Sequence, residues 1–229
     1  MLILIGGGEI SGWNFKTKDT NQNLYQTGNI DKEVVDSANK KNPNFLFIGT
    51  ASRDNEIYFN AIKNIYVGLG CNVEFLKLED NIDEKISNAD IIYIGGGNTK
   101  YMLSEWEKVK LESKLIKAHN SGIVIVGFSA VAYCFFKYNY EMIKGFGIIN
   151  AISCVHYDHK NGEKRTEFYN AIKEQNLPGL ALDNGTAIKF DKGNYQIIKS
   201  IENAQVYKIT FTGSEFVKQE LKENKNYNI

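Results

Sequence analysis

Ile123-Val124-Ile125-Val126-Gly127-Phe128-Ser129-Ala130-Val131-Ala132 is the stretch on which the reading of this chain turns. Four consecutive branched apolar residues run without polar alternation into a glycine. That pattern marks a strand buried on both faces of a parallel sheet. A lone serine follows, then small residues and a helix-like run. In an open α/β sheet, ligand sites lie beyond the carboxyl ends of the strands. A serine on so sharp a turn presents its hydroxyl, and a helix N-terminus behind it favours developing negative charge. The same position also suits a serine that merely caps the next helix.

Outward from this turn, Leu2–Ile5, Phe45–Ile48 and Ile91–Ile94 are further unbroken apolar runs ending at glycine, and Val73–Leu76 is a fifth strand candidate. Between them lie helical patterns: Asn55–Gly68, with Ile57, Ala61, Ile62 and Ile65 at helical spacing, then Tyr101–Val109 and Leu111–His119. Strands alternating with helices predict an α/β fold, a doubly wound, mostly parallel sheet flanked by helices. The last third changes character. Glu163–Gln175 reads as a helix, while Gly179–Leu182, Ala187–Phe190, Tyr195–Lys199 and Ala204–Phe211 read as shorter strands. Asp191-Lys192-Gly193-Asn194 suits a tight turn, so a short β-hairpin region is expected near the C-terminus. Polar Ser11–Asn29 reads as a long surface loop, and Glu215–Ile229 as a charged helix followed by fraying. No repeat or linker interrupts the chain, which predicts one domain over residues 1–229.

Composition narrows the functional classes. Lys+Arg and Asp+Glu are each 27, so no basic excess exists to neutralise phosphates and nucleic acid is not an expected partner. No apolar run approaches the roughly 20 residues of a membrane span. The opening Met1-Leu2-Ile3-Leu4-Ile5 is too short and uncharged for a signal peptide. Three scattered cysteines, Cys71, Cys134 and Cys154, form no framework and suit free thiols in a reducing compartment. A cytoplasmic protein, monomer or homodimer, is expected.

Two other segments carry chemistry. Ile91-Ile92-Tyr93-Ile94-Gly95-Gly96-Gly97-Asn98-Thr99 ends a strand in a glycine loop, where Gly97 could bring a backbone N–H close to a reacting carbonyl. Such a loop can also cradle phosphate, but no Lys-Ser/Thr follows, so it is not a P-loop. Gly6-Gly7-Gly8-Glu9 lacks a dinucleotide-binding spacing and by itself points to nothing. Cys154-Val155-His156-Tyr157-Asp158-His159 holds two of the three histidines without a metal-binding pattern, so no metal or cofactor is expected. His119, at a helix end, reads as structural, a cation complementing the helix dipole.

Taken together, these segments resemble the dipeptidase E and cyanophycinase family of serine peptidases. The likeness rests on Phe47-Ile48-Gly49-Thr50-Ala51-Ser52, Gly95-Gly96-Gly97-Asn98-Thr99, Gly127-Phe128-Ser129-Ala130, Val155-His156-Tyr157-Asp158 and Ala181-Leu182-Asp183-Asn184-Gly185-Thr186-Ala187, in that order. It implies a fold like that of class I glutamine amidotransferases, with serine in place of their cysteine. It further implies Ser129 as nucleophile, His156 as general base, the N–H groups of Gly97 and Ala130 as oxyanion hole, and short peptides, several cut after an aspartyl residue, as substrates.

Two positions depart from the family pattern. Val131 stands where the family carries glycine, and a β-branched side chain there restricts the backbone and is expected to crowd the pocket. Asn184 stands at the usual acid. An amide can orient a histidine but brings no charge, and Asp183, Asp158 and Glu141 are the alternative acids. The alternative that these departures suggest is a weakened relative that binds a peptide or small metabolite. Glutamine hydrolysis in the amidotransferase manner relies on a thiolate, whereas position 129 is a hydroxyl. Arg53, Arg165 and Lys100 are candidates for meeting a substrate carboxylate.

Overall fold

A computed structural model describes residues 1–10, 25–159 and 161–228. Its first half alternates as expected. Strand β1 (Leu2–Ile5) leads to α1 (Gly28–Ser37), β2 (Asn44–Ile48), α2 (Glu56–Gly68), β3 (Asn72–Leu76) and α3 (Ile82–Asn88). Then come β4 (Ile91–Ile94), α4 (Thr99–Val109), α5 (Leu111–Asn120) and β5 (Val124–Phe128). Asparagine starts three of these helices. Asn55, Asn81 and Asn98 each accept, through the side chain, a backbone N–H of the first turn of α2, α3 and α4. Such caps satisfy donors that have no partner inside the helix.

After Ser129 the chain makes a 3₁₀ turn over Ser129–Phe135 rather than an α-helix, and Ser129 does not cap it. Next come β6 (Phe136–Asn139), β7 (Ile149–Val155), α6 (Gly162–Gln175), β8 (Gly179–Leu182) and β9 (Thr186–Asp191). The described chain ends through β10 (Asn194–Lys199), β11 (Val206–Phe211), β12 (Phe216–Leu221) and β13 (Tyr227–Asn228).

Eight strands form the main sheet in the order β13-β10-β9-β1-β5-β4-β2-β3. Strands β1 to β5 pair in parallel, and β9, β10 and β13 extend the β1 edge antiparallel. Alternate side chains of β1 enter different cores. Ile3 and Ile5 pack with Ile30, Val34, Tyr58, Ala61 and Ile62 of α1 and α2. Leu2 and Leu4 pack with Ile86, Met102, Trp106 and Leu115 of α3 to α5. Both faces of β1 are therefore covered, which is why that strand is apolar at every position. Each fully buried Ile, Leu or Val contributes about 1.5–3 kcal/mol.

A second sheet, β12-β11-β8-β7-β6, lies on the Leu2–Leu4 side, with Val155, Leu180 and Leu182 joining that core. Two expectations change here. The charged helix expected over Glu215–Ile229 is absent from its described residues, 215–228: Phe216–Leu221 is an edge strand paired antiparallel with β11. The reversal comes from Thr212, whose N–H donates to Glu215 O across a turn containing Gly213 (φ 96°). The charged residues that suggested a helix instead face solvent from a sheet edge, a common protection against edge pairing. The second change concerns the polar loop. Of Ser11–Asn29, residues 11–24 lie outside the described part, and its end belongs to α1, which begins at Gly28.

Candidate active site

Loops leaving β1, β4, β5, β7 and β8 meet beyond the carboxyl ends of these strands. They enclose a cleft of about 250 Å³ lined by Gly8, Glu9, Gly96, Gly97, Phe128, Ser129, His156, His159 and Asn184. Strands of both sheets thus supply one site.

Ser129 takes a left-handed backbone (φ 55°), as does His156 (φ 51°). For a residue with a Cβ each such conformation costs on the order of 1–3 kcal/mol, and it persists only where surrounding packing imposes it. Val131 and Ala132, which follow Ser129 in the chain, are both fully buried in the core. Val131 thus points into the core and does not line the cleft, so the crowding expected of it does not occur. At His156 the backbone is held by its own N–H, which donates to Gly6 O at 3.0 Å.

The Ser129 Oγ lies 2.6 Å from His156 Nε2, and His156 Nδ1 lies 2.6 Å from Asn184 Oδ1. An amide oxygen only accepts, so Nδ1 carries the ring proton and Nε2 presents a lone pair to the serine hydroxyl. Burial is the main reason His156 is pushed down to a pKa of about 4. Lys164 and His159 depress it further, while the Asn184 hydrogen bond and Asp158 pull it partly back. The ring is neutral at pH 7, as a proton acceptor must be. Geometrically, the arrangement can pass the Ser129 proton to an imidazole oriented by a third group.

The alternative acids are accounted for individually. Asp183 faces away from the histidine, its Oδ2 accepting the Gln205 N–H at 2.9 Å. Glu141 is exposed and accepts from Asn139 Nδ2. Asp158 reaches Asn184 rather than the imidazole, its Oδ1 accepting the backbone N–H at 3.1 Å and its Oδ2 the side-chain Nδ2 at 3.0 Å. The order is therefore serine, histidine, asparagine, aspartate.

Gly97 lies in the cleft with φ 151°, and a Cβ there would run into the backbone of Ala51. Ala130 adjoins the cleft, its carbonyl accepting from Thr99 Oγ1 at 3.4 Å and so tying the serine turn to the glycine loop. None of Arg53, Arg165 and Lys100 lines the cleft. Arg53 stacks 4.0 Å over Tyr101, Arg165 donates to Tyr157 O at 3.0 Å, and Lys100 is exposed. His119 stands apart, 3.5 Å from the N-terminal amine. Burial and that positive amine lower its pKa, so it is not the expected cation at a helix end.

Sequence reasoning overlooked the Gly6-Gly7-Gly8-Glu9 loop. Gly7 (φ 130°) sits so close to His156 and Asn184 that a side chain there would overlap both. Its carbonyl accepts the Gly185 N–H at 2.8 Å, joining the β1 loop to the asparagine loop. The available signal was position, since this loop, like Ser129, follows directly on a buried parallel strand. Among the described residues no cluster of His, Cys, Asp or Glu is gathered for a metal ion. The three cysteines are free and buried, and no described helix is long and apolar enough to cross a membrane.

Known proteins resemble this chain in sequence and in fold. An uncharacterized peptidase, YgaJ of Bacillus subtilis (strain 168), is 26% identical over 227 residues, covering 93% of this chain and 94% of that protein. A protein described as a probable alpha-aspartyl dipeptidase of Drosophila melanogaster is 27% identical over 195 residues, covering 77% and 80%. Among solved structures, a peptidase from an acI-B1 Actinobacterium superposes with a TM-score of 0.73 at 22% identity, over 100% of this chain and 96% of that one. At that identity the likeness establishes the fold, the mixed α/β arrangement with central sheets flanked by helices. Residues 2–198, spanning all five loops that build the cleft, match the model of peptidase family S51, and the chain belongs to that family.

Proposed function

We propose that this peptidase is of the serine type and hydrolyses short peptides, aspartyl dipeptides among them, through an acyl-enzyme on Ser129. The observation that carries this reading is the unbroken contact from Ser129 Oγ through His156 to Asn184 Oδ1 at the floor of the cleft. In the reaction, Oγ attacks the scissile carbonyl while its proton passes to His156 Nε2. The backbone N–H groups of Gly97 and Ala130 receive the carbonyl oxygen as it becomes negative. His156 then protonates the leaving amine, and a water molecule, deprotonated by the same ring, releases the acid product. A cleft of about 250 Å³ is smaller than the usual range of drug-sized pockets, which suits a substrate of few residues. The aspartyl preference rests on the resemblance and on the description of the fly relative. The three buried free thiols fit the reducing cytoplasm.

A fluorophosphonate probe tests the nucleophile. Wild-type protein should label covalently, and folded Ser129→Ala should not. A second reading, a relative that binds peptides without efficient turnover, is favoured by one observation, the amide instead of a carboxylate on His156. Absence of labelling in folded wild-type protein would select it.

The pH dependence carries its own expectation. The general base must be neutral, and burial keeps His156 neutral down to about pH 4. The acid limb of kcat/KM, which reports the free enzyme, should therefore fall with a midpoint nearer 4 than the ordinary imidazole value of 6.5. Lowering the pH from 6.5 to 5 should leave most of the activity. A limb centred at or above 6.5 would contradict this environment for the base.

A further inference from the structure

We infer that Asp158 is the positioning residue of this site, holding the Asn184 amide so that its oxygen faces His156. The inference rests on the proposed roles of Ser129 and His156 and concerns how an asparagine can serve them.

The two ends of an amide are alike in size and opposite in hydrogen bonding. With Oδ1 toward the ring, Nδ1 carries the proton and Nε2 can accept from Ser129. With Nδ2 toward the ring, the amide would donate to Nδ1, and the ring proton would sit on Nε2, facing a hydroxyl it could no longer deprotonate. Asn184 and His156 alone form one hydrogen bond either way, so the pair does not choose between them. Asp158 does. Its carboxylate only accepts, and it accepts from both nitrogens of Asn184, the backbone N–H at 3.1 Å and Nδ2 at 3.0 Å. A reversed amide would set its oxygen against that carboxylate. His159 adds to the bias, with Nε2 3.3 Å from the same Nδ2 and its ring stacked on His156 at 5.3 Å. Among the described residues, Lys164 is a further charged group acting on the ring, and its ammonium donates to Val155 O.

Asp158 also supplies negative charge, one amide removed from the imidazole. It is exposed, so solvent screens that charge and orientation is its larger contribution. One consequence bears on repairing the site. Asn184→Asp would replace the amide nitrogen with an oxygen about 3.0 Å from Asp158 Oδ2. Two carboxylates that close cannot both ionise freely. The single substitution therefore brings repulsion with the restored acid, and exchanging the two residues relieves it.

The experiment compares Asp158→Ala and Asp158→Asn in the wild type, and Asp158→Asn again in an Asn184→Asp background. Rates are read on an aspartyl dipeptide and with the fluorophosphonate probe. The ring nitrogens are read by NMR after ¹⁵N-histidine labelling, which is tractable with three histidines in the chain. Asp158→Ala should lower kcat and the labelling rate about tenfold or more with KM little changed, the scale of a lost hydrogen bond to a charged group. It should also move the His156 proton toward Nε2. Asp158→Asn keeps one acceptor and should lose less. In the Asn184→Asp background the sign should reverse, with Asp158→Asn raising the rate. A wild-type rate and ring pattern in folded Asp158→Ala, or a loss of the same sign in both backgrounds, would overturn the inference. Failure of Ser129 to label would instead strike the proposed function, and the ring pattern would still decide the role of Asp158.

Discussion

His156→Ala is expected to lower kcat about 10⁴- to 10⁶-fold, the range reported for removing a triad member, while His159→Ala retains most of the activity. The two rings are stacked 5.3 Å apart and both line the cleft, so proximity does not separate them. Bonding does. Only His156 contacts the Ser129 hydroxyl, and its far nitrogen is held by Asn184. His159 contributes one 3.3 Å contact to the amide, whose loss should cost a few-fold through a looser Asn184. Steady-state kinetics on a short peptide, with circular dichroism to show that each variant is folded, measure the difference. Full activity in His156→Ala with loss in His159→Ala would reverse the assignment.

Gly7→Ala should lower kcat by about 10²-fold or more although it removes no functional group, the scale set by misplacing reacting atoms by ~1 Å. At φ 130° an alanine is strained, and its Cβ would overlap the His156 ring and the Asn184 oxygen. The backbone cannot easily retreat. Gly6 N–H donates to Thr186 O at 2.8 Å, Gly6 O accepts from His156, and Gly7 O accepts from Gly185. The imidazole must therefore swing away from Ser129. A second glycine separates strain from collision. Gly193 turns the hairpin between β9 and β10 at φ 85°, with nothing within 4 Å of an added Cβ. Gly193→Ala should lower the melting temperature and leave kcat unchanged, whereas Gly7→Ala should lower both. Equal activity in the two variants would mean that the Gly7 loop yields without disturbing the base.

Serine at a strand-to-turn corner was legible because both of its determinants are local. Val124–Val126 is apolar at every position because the strand has a core on each face, and the small residues Ser129 and Ala130 follow directly at the turn. The same logic exposed β1, β2 and β4 and the helices α2, α4 and α5, but not α1 or α3. It failed where a strand's character depends on a distant neighbour. Phe216–Leu221 is charged enough to pass for a helix, and only its pairing with β11 makes it a sheet edge. The second sheet was missed in part for the same reason, since β7 pairs with β6 on one side and β8 on the other across intervening loops and α6.

The site divides along the same line. The identities of Ser129, His156 and Asn184 came from residue order and family resemblance, both properties of the chain. The partner of Asn184, the direction of its amide and the need for glycine at position 7 came from the fold. Asp158 and Asn184 lie 26 residues apart, and Gly7 lies far from both histidine and asparagine in the chain. Periodicity and turn chemistry record which residues are buried and where the backbone bends, because those depend on near neighbours. Which side chain meets which across the cleft depends on two sheets packing together, and no local pattern carries that information.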